Sequence, residues 1–274
     1  MVLLDGKKLA GRMLDAVKND VGALSKKPRL AVVVVGEDPV IRSFIREKKK
    51  AADRVGIDVR IYPFPADITT SALRGRIARI VHEKENSAVI IQLPLPSHIN
   101  RQYILDAIPP EKDADVLSSR AIGNFAAGKG LVMPPVVGAV MALLEAHEVD
   151  WHHKHVAILG AGMLVGRPLA LWLTREHAHF TVIGADVERD ADRVRAADIV
   201  ISGIGKPGIV TGEMIKEGAT VIDAGTSESQ GKVVGDVDTD SVRPKASFLS
   251  PVPGGVGPMT VAVLMRNVAA LAQK

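Results

Sequence analysis

The stretch His155–Gly166, HVAILGAGMLVG, constrains this chain more than any other. A short apolar run that stops at Gly160, Gly162 and Gly166 predicts a buried strand turning directly into a helix. Glycines in such a turn let backbone N–H groups approach a pyrophosphate at the helix N-terminus. The G-x-G-x-x-x-G spacing is one residue longer than the usual dinucleotide fingerprint. Taken alone, it fits an ordinary strand-to-helix turn of an α/β protein equally well.

The totals narrow the setting. At 274 residues the chain sits near the size where one core becomes two, so two domains are expected. With 47% hydrophobic and 24% charged residues, the composition is that of a globular protein. The net charge of +4 comes without a run of five like charges, and aromatics make up 3%. Neither a nucleic-acid nor a membrane partner is expected from such a chain, and bases would lack stacking platforms. The absence of cysteine excludes a disulfide frame, a thiolate nucleophile and Cys-ligated zinc. No apolar run approaches the length of a membrane span, and the start MVLLDGKKLA lacks a secretory pattern, so a cytoplasmic location is expected.

In chain order, Gly6–Lys26 predicts an amphipathic helix with Leu9, Met13, Val17 and Val21 at helical spacing. Leu30–Gly36 reads as a strand covered on both faces. A helix from Asp38-Pro39 to Val55 follows, then strands at Ile57–Pro63 and Ala88–Gln92 around a helix at Ser71–Lys84. Gln92, in QLPLP, sits where a strand ends, which is where open α/β sheets bind ligands; a rigid loop is the other reading. Ile108–Asp115, IPPEKDAD, is a loop rich in acids, and a helix at Val136–His147 leads into the second unit. There, strands at Phe180–Ile183, Asp198–Gly203, Thr220–Ala224 and Ser247–Ser250 alternate with helices at Arg167–Arg175, Glu188–Arg195 and Gly212–Glu217. This βαβ progression is of Rossmann type and strengthens the cofactor reading of the glycine turn. The chain closes with PVPGGVGP and a helix from Met259 to about Ala272, apolar along Val261, Leu264, Val268 and Leu271.

Three stretches together carry a family resemblance: VGEDP before a lysine-bearing helix, QLPLP with KDAD, and the terminal PVPGGVGPMT. Over nearly its full length the chain resembles the bifunctional methylenetetrahydrofolate dehydrogenase/methenyltetrahydrofolate cyclohydrolases. The resemblance implies an α/β fold in two lobes flanking a cleft. Residues 1–135 and 257–274 would form a catalytic folate-binding domain, and 136–256 a Rossmann-type, doubly wound NAD(P)-binding domain. The last helix would return to the first lobe, and the protein would be a homodimer. It further implies oxidation of 5,10-methylenetetrahydrofolate by hydride transfer to NAD(P), then hydrolysis of the methenyl product to 10-formyltetrahydrofolate.

By similarity, Lys48 assists water addition, Gln92 holds and tunes that lysine, and Asp115 binds the pterin ring. A lysine acts as a base near neutral pH only when its pKa is lowered, and a neutral amide orients it without adding charge. Without the resemblance, Lys48 beside Lys49 and Lys50 reads as part of a solvated helix face. Phe44, Gly255 and Gly257 are expected at the substrate. Gly160, Ala161, Gly162, Asp186, Gly205 and Thr226 are expected at the cofactor.

The departures are specific. Where the family usually has tyrosine, this chain has Phe44, one helical turn before Lys48; loss of the hydroxyl should weaken the cyclohydrolase step more than the hydride step. KDVDG has become KDADV, putting Val116 in place of glycine, and PCTP has become Met133–Val136, MPPV. The second Rossmann strand ends in Gly184-Ala185-Asp186, where a carboxylate accepts a 2′-hydroxyl and repels a 2′-phosphate, so NAD is expected over NADP. Arg189 is the residue that opposes this. His152, His153 and His155 are read as a polar loop without a carboxylate to complete a metal shell. The competing readings are a catalytically silent folate- or nucleotide-binding relative acting as a sensor or subunit, and a Rossmann dehydrogenase with another substrate.

Overall fold

The computed structural model describes residues 1–229 and 232–273. In order, the elements are β1 (Val2–Leu3), α1 (Gly6–Gly22), β2 (Arg29–Val35), α2 (Pro39–Val55), β3 (Asp58–Phe64), α3 (Thr70–His82), β4 (Ala88–Ile91), α4 (Arg101–Leu105), α5 (Ser119–Ala126) and α6 (Pro135–Ala146). They continue with β5 (Val156–Leu159), α7 (Gly166–Arg175), β6 (Phe180–Ile183), α8 (Ala191–Arg195), β7 (Ile199–Ser202), a 3-10 turn (Gly212–Met214), β8 (Thr220–Asp223), the pair β9 (Ser227–Ser229) and β10 (Lys232–Val234), α9 (Thr239–Val242), β11 (Phe248–Leu249) and α10 (Val256–Ala272). Two compact units result. One comprises Met1–Ala10 and Val136–Thr260, the other Gly11–Pro135 and Val261–Lys274.

The unit of Gly11–Pro135 and Val261–Lys274 is built on a three-stranded parallel sheet of order β3-β2-β4. The run LAVVVV of β2 is buried throughout because β2 is the central strand with neighbours on both sides. Along α2, Ile41, Ile45, Ala52 and Val55 form the buried stripe. On α1 the buried positions are Ala10, Leu14, Val17 and Val21. The expected stripe was off by one register at its start, since Leu9 and Met13 are only half-buried.

The other unit carries a six-stranded parallel sheet of order β1-β11-β8-β7-β5-β6. The first strand, Val2–Leu3, pairs with Phe248–Leu249, a two-residue element too short to show periodicity. The helix expected at Gly212–Glu217 is a single 3-10 turn, and the one expected from Glu188 begins at Ala191. Ile215, buried and extended at φ −115° and ψ 151°, ends the turn after Met214. The final helix starts at Val256, earlier than expected, and buries Ala262, Val263 and Met265 as well as the anticipated face. A helix apolar around most of its circumference is an interior helix.

Candidate active site

In both sheets the strand order reverses beside a central strand. From β2 the chain moves to β3 on one side and β4 on the other; from β5 it moves to β6 on one side and β7 on the other. Such switch points open a crevice at the carboxyl ends of the strands, where ligands of α/β proteins bind. The predicted polar residues of the three-stranded unit and the glycine turn of the six-stranded one both lie at these ends.

In the unit with the three-stranded sheet, Lys48 stands on α2 between Ile45 and Ala52, in line with the buried stripe, and is half-buried. Its Nζ donates to Oε1 of Gln92 at 2.7 Å. Gln92 directly follows β4, is 6% exposed, and its N–H bonds the Val33 carbonyl of the central strand. Its Nε2 donates to the Leu93 carbonyl at 2.8 Å. A carbonyl can only accept, so this bond turns the amide oxygen toward the lysine. Burial lowers the Lys48 pKa, opposed by attraction to Asp115. Burial raises that of Asp115, opposed by Lys48. Both groups therefore move toward their uncharged forms, as a proton-transfer site requires. Phe44 lies one turn earlier on the same helix and is 38% exposed.

The Asp115 loop is more constrained than its sequence indicates. Asp113 is bridged in parallel fashion to Val89 of β4, and its Oδ2 accepts the N–H groups of Leu117 and Ser118 at 3.0 and 2.8 Å. Burial pushes the Asp113 carboxyl up to about 6 despite these bonds. Val116, standing where the resemblance places glycine, has φ +57° and is 2% exposed. A β-branched residue in the left-handed region costs on the order of 1–3 kcal/mol, so the surrounding contacts must hold it there.

In the unit with the six-stranded sheet the glycines divide by role. Gly160 has φ +90°, and a Cβ on Gly166 would stand 1.7 Å from the Gly160 carbonyl oxygen. Across the switch point, a Cβ on Gly203 would meet Val165 at 2.3 Å. Gly160, Gly166 and Gly203 are thus demanded by the close approach of β5, β7 and the start of α7. At Gly162 nothing lies within 4 Å of an added Cβ. Ala161 and Gly162 are exposed, and α7 begins without a side-chain cap, a cradle with room and exposed backbone for an anion. Asp186 and Arg189 are both exposed beyond β6. Gly205 follows β7 and Thr226 follows β8, and the Ser227 hydroxyl ties their loops by donating to the Gly205 carbonyl at 3.0 Å. These cofactor candidates occupy the carboxyl ends of four adjacent strands, in the order β8, β7, β5, β6.

Two acids beneath these loops escaped the sequence reading. Asp236, fully buried, accepts from the Ser202 hydroxyl at 2.7 Å and from the backbone N–H groups of Ile204, Gly205 and Lys206. Asp223 accepts from Gly225, Asp236 and Val237, and burial pushes its carboxyl up to about 6. A Cβ on Gly225 or Gly235 would fall 2.2 or 2.0 Å from these carboxylates. The available signal was an acid ending an apolar strand, with a second acid flanked by glycine in GDVD.

Gly255 and Gly257 belong by contact to the unit with the six-stranded sheet, whereas Phe44, Lys48, Gln92 and Asp115 belong to the other. Gly255 is buried against Gly6, whose own Cβ would lie 1.8 Å from the Gly255 carbonyl oxygen, while Gly257 is open. At the histidines, Asp150 supplies a neighbouring carboxylate that the sequence reading had not foreseen: His153 Nδ1 lies 3.2 Å and His152 Nδ1 3.6 Å from it. His155 turns instead to the Thr181 hydroxyl at 2.9 Å. Among the described residues no group of three or more His, Cys, Asp or Glu is arranged to hold a metal.

These features define a two-unit α/β protein with a Rossmann-type nucleotide-binding unit and a second unit bearing a partly buried lysine-amide-acid site. Comparison with known proteins is specific. The tetrahydrofolate dehydrogenase/cyclohydrolase catalytic domain matches residues 4–115, and the NAD(P)-binding domain of the same family matches 134–274. The chain belongs to the tetrahydrofolate dehydrogenase/cyclohydrolase family. It is 39% identical to the bifunctional protein FolD of Moorella thermoacetica over 276 residues, covering 99% of each chain. Among solved structures it resembles the bifunctional FolD enzyme of Campylobacter jejuni, at 35% identity and a TM-score of 0.95, covering 100% of this chain and 99% of that one. It also resembles the Trypanosoma brucei enzyme complexed with NADP and an inhibitor, at 36% identity and a TM-score of 0.94, covering 100% and 97%. No helix among the described residues is long and apolar enough to cross a membrane.

Proposed function

We propose that this chain oxidises 5,10-methylenetetrahydrofolate to the 5,10-methenyl cation and hydrolyses the cation to 10-formyltetrahydrofolate. The observation that carries the chemistry is the 2.7 Å bond from Lys48 Nζ to a Gln92 amide that is itself locked by Leu93. Bound NAD(P) supplies the acceptor for the hydride leaving the methylene carbon. For the second step, the neutral Lys48 amine takes a proton from the water that adds to the methenyl carbon. The adduct then opens by breaking its bond to N5, which regains a proton. Gln92 keeps the amine in place without stabilising its protonated form as a carboxylate would. Asp115 accepts N–H groups from the pterin edge. Ala161, Gly162 and the start of α7 would hold the pyrophosphate, Gly205 and Thr226 the nicotinamide end, and Gly255 and Gly257 would border the folate.

The test is an assay of methylenetetrahydrofolate with NAD or NADP, following reduced nicotinamide and methenyl product together. Turnover supports the reading; binding of folate and nucleotide without turnover overturns it.

Asp186 supports a preference for NAD, since its carboxylate suits a ribose 2′-hydroxyl and opposes a 2′-phosphate. The expected result is a KM for NAD at least about tenfold below that for NADP, from repulsion worth about 1.4 kcal/mol at a partly solvated site. Asp186→Ser should narrow the gap. A lower KM for NADP in the parent, with Arg189 pairing the phosphate, rejects the assignment.

For Phe44, the missing hydroxyl removes one hydrogen-bonding group beside Lys48, where only the hydrolytic step moves protons. Phe44→Tyr is expected to raise cyclohydrolase turnover about three- to tenfold while changing dehydrogenase turnover less than twofold. Equal effects on both steps would refute it. We further infer a homodimer, supported by β3, which among the described residues is an edge strand paired with β2 alone and exposes Ile61 to 43%; a monomeric mass by light scattering would refute it.

A further inference from the structure

We propose that Asn267, on the last helix, is a positioning residue for Asp115 and thereby sets the affinity for the folate substrate. The inference rests on the reading that Asp115 binds the pterin. Asn267 is 2% exposed, a buried polar side chain in the run VAVLMRNVAALA, whose other polar residue, Arg266, is exposed. Its Nδ2 donates to the Ala114 carbonyl at 2.8 Å and to the Met133 carbonyl at 2.7 Å. An amide nitrogen has two hydrogens, so both are committed to backbone acceptors in separate segments.

The first acceptor immediately precedes Asp115. Around that residue, the Lys112 carbonyl is fixed by the Val89 N–H at 2.8 Å, and Asp113 holds the Leu117 and Ser118 N–H groups. What remains between these anchors is Ala114, Asp115 and Val116. Val116 sits in a left-handed conformation that valine avoids, so this stretch relaxes when a restraint is lost. Asn267 is the side chain that restrains its leading edge. Without it, the buried Ala114 carbonyl lacks its partner, the turn readjusts, and the Asp115 carboxylate no longer points in one direction.

The test is a double-mutant cycle of Asn267→Leu and Asp115→Asn, scored by KM for methylenetetrahydrofolate, KM for NAD(P) and dehydrogenase kcat. Asn267→Leu is expected to raise the folate KM about tenfold, with nucleotide KM and kcat within about twofold of the parent. In the Asp115→Asn background it should add nothing further to the folate KM. The inference is overturned if the rise persists in full in that background, if it extends equally to the nucleotide, or if no rise occurs. If Asp115→Asn alone leaves the folate KM unchanged, the pterin assignment itself fails and takes the inference with it. Should Asn267→Leu not fold, Asn267→Ser, whose hydroxyl can serve one carbonyl, replaces it in the same cycle. Its expected rise is smaller, and parental behaviour overturns the inference.

Discussion

Replacing Lys48 with glutamine is expected to lower cyclohydrolase turnover about a thousandfold while leaving the hydride step within about tenfold of the parent. The side chain remains polar and close to the original length, so what is lost is the proton acceptor. General-base assistance of this kind is worth roughly a hundred- to ten-thousandfold. The pH dependence supplies a second readout. Burial lowers the Lys48 pKa, and only the deprotonated amine takes a proton from water. Cyclohydrolase activity in the parent should therefore fall as pH drops and Lys48 becomes charged, and rise as pH increases through its lowered pKa. In Lys48→Gln that limb should disappear. A variant that hydrolyses methenyltetrahydrofolate at the parental rate, or keeps the same pH limb, removes Lys48 from the reaction.

The second large effect concerns folding. Gly166→Ala puts a methyl group 1.7 Å from the backbone oxygen of Gly160, and neither backbone can yield without separating β5 from α7. Alanine ordinarily stabilises a helix relative to glycine, by up to about 1 kcal/mol. Here overlap with fixed backbone should outweigh that gain and cost about 4 kcal/mol or more. The expected outcome is an aggregated protein, or one whose melting temperature falls by more than about 8 °C. Gly162→Ala is the internal control. Its new methyl meets nothing within 4 Å, so stability should match the parent within about 1 kcal/mol. The same methyl would stand where the nucleotide approaches, and the KM for NAD(P) should rise. Equal stability for the two alanine variants would show that the turn is looser than its geometry.

These contrasts mark how far the residues could be read in advance. The unbroken run of β2 and the strand-turn-helix at His155–Gly166 were legible because burial on both faces and a tight reversal each leave a local signature. The reasons for the glycines were not, since Gly160, Gly162 and Gly166 look alike until Gly203 is brought beside Gly160 across the sheet and Gly166 folds back onto the Gly160 carbonyl. Lys48 was partly legible. It completes the spacing of Ile41, Ile45, Ala52 and Val55, but the adjacent Lys49 and Lys50 disguised it as part of a solvated face. Asp236 and Asn267 were effectively hidden, because their partners lie 30 to 34 and 134 to 153 positions away. No local pattern reports a buried acceptor that distant. The hairpin β9–β10 and the short helices α4, α5 and α9 were missed for another reason: at three to eight residues they carry too little periodicity to detect.

The pairing of Val2–Leu3 with Phe248–Leu249 bears on the order of events at the ribosome. Synthesis proceeds from the amino end at about 5–20 residues per second, so the opening strand waits for a neighbour made almost a whole chain later. The smaller sheet can pair as soon as β4 emerges, yet its closing helix segment, Val261 onward, is made only after every strand of both sheets. Each hydrophobic interior therefore waits for a late segment, and a nascent chain stalled before Phe248 would offer chaperones and proteases two incomplete folds at once.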